Sequence, residues 1–257
     1  MKEKYSVSHA RACKIVSCSR TRKYYKPLMP DKDLAVKQAI EGVLNGCRKG
    51  RKKVIRMVQR RNPEMTISKI RRIYVQSGLS LYQANRKRKI FGKGKPLVIP
   101  MAKNEEWALD FMHDQLVNGR NFRTMNLVDE YDRRCLVITS DTSITARRVT
   151  RELERVIECY GKPKAIRTDN GPEFISKWFQ NWLGSKGIKW SSIEKGKPSQ
   201  NAIIERFNRT YREDVLDANL FFTLEEVRKK TETFLNEYNT IRPHEALKYS
   251  TPWNFRG

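Results

Sequence analysis

Hydrophobic and polar positions along residues 103–257 change period several times, and each change predicts an element. Glu106–Met112 alternates with a period near two and predicts a strand; Phe122–Val128 and Leu136–Ser140 predict two more. Gly119 lies near the turn between the first two, so the three read as an antiparallel meander. Residues 143–159 switch to helical spacing, with Val149, Leu153, Val156 and Ile157 on one face and Gly161 as the stop. Ala165–Thr168 predicts a short buried strand ending at Asp169. Phe174–Leu183 predicts a helix whose aromatics Phe174, Trp178, Phe179 and Trp182 pack the core, and Ile188–Ile193 a fifth strand. The polar stretch E-K-G-K-P-S-Q is a loop that leads into a helix carrying Glu205. A last helix runs from Leu224 to Tyr238, with Thr223 as its cap and Pro243 beyond it. The order βββ-α-β-α-β-α-α is that of an α/β domain: a mixed five-stranded sheet with helices on both faces.

The preceding residues have a different texture. In residues 6–25, Ala10, Cys13, Ile15 and Val16 suit a short amphipathic helix, and S-C-S-R suits a turn into a second one, a helix-turn-helix-like pattern. Pro27 and Pro30 break the chain, and Asp31 or Asp33 caps a helix running to about Val43. Pro63 starts a further helix with Ile67, Ile70, Ile73 and Tyr74 on one face and Gly78 as its stop. Gly92, Gly94 and Pro96 mark a linker. The expected organisation is a basic, all-α region over 1–90, divisible into units 1–30 and 31–90, a linker over 91–102, and the α/β domain over 103–257.

Charge separates the same two halves. The net charge is +25, yet residues 1–104 hold 28 Lys and Arg against 5 Asp and Glu, while residues 105–257 hold 25 against 23. A basic half is a footprint for polyphosphate, and its repeated basic runs favour phosphate contact over a merely solvated face. Arg86, Lys87, Arg88 and Lys89 form one such run. No apolar run reaches the roughly 18 residues of a membrane span, and the first residues lack the apolar core of a secretory signal. Cys13, Cys18, Cys47, Cys135 and Cys159 have irregular spacing without a C-x-x-C pair, so neither a disulfide framework nor a zinc knuckle is indicated. These features predict a cytoplasmic, nucleoid-associated protein with no membrane partner.

Three carboxylates carry the candidate chemistry. Asp110 in W-A-L-D-F ends one strand, Asp169 in I-R-T-D-N-G-P-E-F ends another, and Glu205 in Q-N-A-I-I-E-R-F-N rides a helix, with 35 residues between the last two. If the first and fourth strands are neighbours, Asp110 and Asp169 face one another. Hard oxygen ligands from separate elements suit a pair of Mg²⁺ (or Mn²⁺) ions acting on a phosphodiester. Asp114, Asp129, Asp132 and Glu173 are the other candidate ligands; Asp129 and Asp132 read as turn residues and Glu173 as the first turn of its helix. Asn170-Gly171 suits a tight turn with positive φ. Asn201 either caps the Glu205 helix or touches DNA; Lys195, Lys197 and Arg206 are placed to grip phosphates, and His113 and His244 are structural or DNA-facing.

Five strings together resemble a known family: W-A-L-D-F-M-H-D, N-G-R-N-F-R-T-M-N-L-V-D, G-K-P-K-A-I-R-T-D-N-G-P-E-F-I-S, G-K-P-S-Q-N-A-I-I-E-R-F-N-R-T-Y-R and E-Y-N-T-I-R-P-H-E-A-L. Over residues 103–256 the chain resembles the catalytic core shared by retroviral integrases and insertion-sequence transposases, in particular the OrfB-type subunit. The resemblance implies a ribonuclease H-like fold, a catalytic triad of Asp110, Asp169 and Glu205 holding two ions, and Arg212 near transposon-end DNA. It implies DNA cleavage at element ends followed by 3′-OH strand transfer, a homo-oligomer bridging two ends, and an upstream helix-turn-helix subunit or its frameshift fusion. The absence of a long heptad run fits the downstream part of such a fusion. The M-T-I-S string at 65–68 departs from the family's aromatic-glycine-aromatic-arginine pattern, and the zinc-binding pairs of retroviral integrases are absent. Two competing readings are a ribonuclease H-like nuclease on RNA–DNA hybrids and a catalytically silent DNA-binding remnant. The transposase-type strings argue against the first and the intact triad against the second. No nucleophile constellation supports tyrosine- or serine-recombinase chemistry.

Overall fold

The computed structural model describes residues 8–15, 17, 30–44, 49–79, 100–193 and 198–256. Five strands form one sheet: β1 (Glu106–Gln115), β2 (Asn121–Asp129), β3 (Cys135–Asp141), β4 (Ala165–Thr168) and β5 (Lys189–Ser192). Their order is β3-β2-β1-β4-β5. β1, β2 and β3 pair antiparallel, and the turn after β1 places Gly119 at φ +85°, a conformation glycine adopts without steric cost. β4 pairs parallel with β1 and with β5, each reached through a helical connection.

Side chains on β1 alternate between two apolar layers. Trp107 and Leu109 enter the first, with Val149, Leu153 and Val156 of α5 (Ala146–Tyr160) and Phe179, Trp182 and Leu183 of α7 (Lys177–Lys186). Ala108 and Met112 enter the second, against Ile204, Phe207 and Tyr211 of α8 (Ala202–Tyr211) and Val227, Phe234 and Tyr238 of α9 (Leu224–Thr240). α8 runs on as a π-helical turn over Arg212–Leu216. Thr223 and Glu226 form a reciprocal capping box that starts α9.

The basic N-terminal residues fold because their helices also carry an apolar face. α1 spans His9–Ile15; the second helix expected within residues 6–25 lies outside the described residues. α2 (Pro30–Leu44), α3 (Arg51–Arg61) and α4 (Ile67–Gln76) enclose a separate core of Val36, Ile40, Val54, Val58, Ile70 and Tyr74. Lys49 is buried beneath them: its ammonium reaches Glu237 Oε1 at 2.8 Å and the Leu44 carbonyl at 3.2 Å, and its carbonyl accepts the Tyr74 hydroxyl at 2.9 Å. Ile241 packs into the same core, so the helical unit is fastened to the end of α9.

Four local expectations are corrected. The helix after the turn at Pro63 begins at Ile67, with Thr66 as its N-cap residue. Asp31 and Asp33 lie inside α2 rather than ahead of it, and Asp33 pairs with Arg72 and Lys69. The Phe174–Leu183 helix is two helices, α6 (Pro172–Ile175) and α7, because Ser176 is extended and its hydroxyl accepts the Phe179 N–H at 3.3 Å, a cap that restarts the helix. Trp178 is not core: it is 49 % exposed, lies 4.7 Å from the Arg147 guanidinium and donates to Thr150 Oγ1. The 91–99 part of the linker lies outside the described residues.

Glu237→Ala leaves the Lys49 ammonium in a buried place without its carboxylate. The expected loss of stability is about 2 kcal/mol, reduced from a fully buried pair because Glu237 keeps some solvent contact. A denaturant titration with an unchanged midpoint would contradict this fastening role.

Candidate active site

Asp110 lies on β1 with Ala108 and Met112, so it faces the layer under α8. Its Oδ2 accepts the Asn208 amide at 2.7 Å, and Asn208 Oδ1 accepts the Asn126 amide, also at 2.7 Å. Asn126 stands opposite Asp110 in the β1–β2 register, so the chain of bonds crosses from strand to strand through the helix. Asp110 Oδ1 accepts the Phe111 N–H at 2.9 Å. Asn208 sits three residues after Glu205, which places the two on adjoining positions of one α8 face. Asp169 follows β4, exposed, with Oδ1 accepting the Gly171 N–H at 3.1 Å; Glu205 is exposed in the first turn of α8.

Burial pushes the Asp110 carboxyl up to about 6, and the negative charges of Asp169 and Glu205 add to it. The Phe111 N–H and the Asn208 amide oppose the rise without cancelling it. The three predicted carboxylates therefore act on one another. Among the described residues, no three His, Cys, Asp or Glu side chains already meet at metal-holding distance. The donor set still fits a hard divalent cation: it is all carboxylate oxygen, and its mutual repulsion is what such a cation offsets.

Two features hold this arrangement. Arg167, two residues before Asp169, is ion-paired with Glu106 and with buried Glu130 (2.9 Å), and donates to the Gln200 carbonyl at 2.8 Å. One guanidinium thus ties β4 to β1, to the turn after β2 and to the segment entering α8. Burial pushes the Glu130 carboxyl up to about 7, against the pull of Arg167. Gly171 is the second feature. Its φ is −61°, so the expected positive-φ turn is absent. Space there is tight, since a Cβ would lie 3.2 Å from Asp169 Oδ1 and in ordinary contact with Phe174 at 3.4 Å, so a larger residue would press on the carboxylate.

The remaining candidates separate. Arg212 bonds the His113 carbonyl at 2.9 Å and pairs with Asp114 (3.3 Å) and Asp217 (3.5 Å), fixing the π-turn to the end of β1. Asn201 occupies the N-cap position of α8 but makes no capping bond; its side chain is buried and its Oδ1 lacks a partner. Arg206 is exposed on α8. Lys195, Lys197, Arg86, Lys87, Arg88 and Lys89 lie outside the described residues. Asp129 and Asp132 accept the Tyr131 and Arg134 N–H groups, as turn residues do, and Glu173 pairs with Arg123, which stacks over Phe111 at 4.2 Å. His113 is exposed, and His244 packs edge-on to Tyr238, its imidazole pushed down to about 3 by burial and Arg242. Asn208 and Arg167 were the residues missed in the sequence. Their signals were the three-residue step from Glu205 and the two-residue step to Asp169.

A sheet in this order, with Asp110 on its central strand bonded to a crossing helix at the antiparallel-to-parallel junction, defines a ribonuclease H-like core of the integrase type. Two Integrase core domain models match, one over residues 100–198 and one over 186–252. The chain is 34% identical over 257 residues to an uncharacterized 31.7 kDa protein of insertion element IS407 from Burkholderia multivorans, covering 99% of this chain and 92% of that protein. It is 27% identical to the transposase for insertion sequence element IS904 from Lactococcus lactis, covering 71% of this chain and 70% of that one. A chain in the cryo-EM structure of the simian T-cell lymphotropic virus intasome, in complex with PP2A regulatory subunit B56 gamma, shares the fold at a TM-score of 0.53 and 18% identity, covering 84% of this chain and 73% of that one. The chain belongs to the insertion-sequence transposases built on an integrase core. It is a DNA transposase, an enzyme of the polynucleotidyl-transferase class. Among the described residues no helix is long and apolar enough to cross a membrane.

Folded Asp110 keeps its proton to about pH 6, whereas an unfolded aspartate loses it near pH 4. Ionising Asp110 therefore costs stability as pH rises through that window. In chelator at pH 7, Asp110→Asn is expected to melt at a higher temperature than wild type, with a shallower fall in stability between about pH 4 and pH 6. Equal melting temperatures at pH 7 would refute a cost of ionising Asp110 in the folded protein.

Proposed function

We propose that Asp110, Asp169 and Glu205 are the catalytic, metal-holding residues, and that the chain cleaves a phosphodiester at a transposon end and then joins the freed 3′-OH to DNA. The observation that carries this reading is the Asp110 carboxylate, partly buried on a central strand and loaded with the charges of Asp169 and Glu205. Its donor set suits two Mg²⁺ or Mn²⁺ ions. When bound, the ions would supply activation of the attacking oxygen and relief of charge on the leaving oxygen.

The chain's own residues supply position. Asn208 holds Asp110 Oδ2 and is held in turn by Asn126, so the carboxylate keeps one orientation. Arg167 fixes the approach of β4 to the start of α8, and with it Asp169 relative to Glu205. Arg212 anchors the far end of α8 at β1 and leaves part of its guanidinium in solvent near the same edge, which suits contact with end DNA. Arg206, Lys195, Lys197 and the run Arg86–Lys89 are the basic residues assigned to DNA phosphates. The protein works in the cytoplasm, at the nucleoid, as a homo-oligomer bridging two element ends. An upstream helix-turn-helix subunit, or its fusion to this chain, provides end specificity.

The deciding experiment is cleavage and strand transfer on labelled DNA carrying the element's own end, in Mg²⁺, for wild type and Glu205→Gln. Wild type should form joined products, and Glu205→Gln should lose them by at least about a hundredfold while still binding DNA. Equal activity in the two proteins would sink the assignment. If the isolated chain is silent, the same pair is compared as the fused form.

A further inference from the structure

A cavity of about 390 Å³ opens between the helical unit and the catalytic domain, on the side of α8 lined by Arg206 and Phe207 rather than by Glu205. Lys53 of α3, Arg133 of the β2–β3 turn, Arg206 of α8 and Arg242 beyond α9 all line it. Four cations from four segments share one space, above a floor that includes Ile203, Phe207 and Tyr238.

The carboxylates that act on Lys53 (Asp214, Glu213) and on Arg133 (Glu130, Asp129, Asp132) do so from beyond ion-pair distance. Among the described residues, Lys53, Arg133 and Arg206 have no carboxylate at ion-pair distance. Arg242 pairs with Asp214, yet it is 6 % exposed and its Nε has no hydrogen-bond partner. Arg133 Nη1 is likewise buried without a partner. The carboxylate on the lining, Glu245, is engaged by Lys52 at 2.9 Å. Burial, then Arg242 and Arg206, push the Lys53 ammonium down to about 8. Arg133 is also held at φ +61°, an uncommon conformation for a residue with a side chain, while it lines the cavity. Cations gathered in one partly buried space are costly in a folded protein unless acidic groups or a ligand offset them.

We propose that this cavity receives a backbone phosphate of bound DNA, with the adjoining sugar on the apolar floor, at the point where the strand passes from the basic helical unit to the catalytic domain. A phosphodiester brings a negative charge, and oxygens that accept from Lys53 and Arg206, to a space lined by four cations. The site lies on the opposite side of α8 from the three carboxylates, so it grips DNA and takes no part in the bond exchange. This inference rests on the DNA-transposase reading.

The test is anisotropy of a fluorescent duplex carrying the element's end, titrated with the full chain at several salt concentrations. Four proteins are compared: wild type, Lys53→Gln/Arg206→Gln, Ala246→Phe and Arg151→Gln/Lys230→Gln. Ala246→Phe fills the cavity and changes no charge; the last pair removes two exposed cations elsewhere. Thermal melts confirm that each is folded. The Lys53/Arg206 variant should bind about tenfold more weakly, with a salt slope shallower by about 0.9 for the lost phosphate. Ala246→Phe should weaken binding to a similar degree, and the Arg151/Lys230 pair by less. A single methylphosphonate at the seated position should weaken wild type and leave the Lys53/Arg206 variant unmoved.

Ala246→Phe binding as wild type does, with both charge pairs losing affinity equally, overturns the cavity and leaves the transposase reading intact. No DNA binding by wild type, either as the isolated chain or as the fused form, removes both. Free dAMP should not compete; dAMP binding lost in the cavity variants, with DNA affinity unchanged, assigns the cavity to a nucleotide and overturns the proposal.

Discussion

The parallel pairing of β1 with β4 is the constraint on which the rest depends. It sets Trp107 beside Ile166 and Ala108 beside Arg167, and so brings Asp110 and Asp169 to one end and one face of the sheet. A shift of one residue would send Asp110 into the layer with Trp107 and Leu109, where a carboxylate has no partner. Both apolar layers enforce the register, because Trp107 and Leu109 fill one side of β1 while Ala108 and Met112 fill the other. The Arg167 guanidinium, bonded to Glu106, Glu130 and the Gln200 carbonyl, makes the same junction polar and specific.

From that junction the electrostatics follow. Asp110 must sit in a covered place because its strand is central, and burial alone raises the cost of its charge. Asp169 and Glu205 are more exposed, at a strand end and a helix start, and add repulsion. A carboxylate kept in place against burial and two like charges is a stored preference for a cation, and the Asn126–Asn208 relay keeps it oriented. Stability is here given up at the position proposed for the chemistry.

Much of this was legible in the residues. Five strands, the antiparallel pairing of the first three and the helices between the strands follow from period changes, and Ala165–Thr168 is found at its predicted bounds. Thr223 as a cap and Gly78 and Gly161 as stops follow from their chemistry, since both glycines adopt positive φ. What local pattern could not reveal depended on distant partners. Ser176 splits a helix that looked continuous because its hydroxyl captures a nearby N–H. Trp178 looks like core until its face meets Arg147 rather than the sheet. Gly171 lies close against the Asp169 carboxylate and has no unusual φ, and Asn208 acquires its meaning from a residue 98 positions away. Lys53, Arg133 and Arg242 converge only once the helical unit is seated on α9.

The central claim is that three carboxylates form one cation site. Its most direct measurement is calorimetric titration of Mn²⁺ into the metal-free full chain, beside Asp110→Asn and an exposed-carboxylate control, Glu225→Gln. The account predicts saturable binding to wild type and the control, matched by a rise in melting temperature with metal concentration, and loss of both in Asp110→Asn. Binding of equal strength in wild type and Asp110→Asn would contradict it.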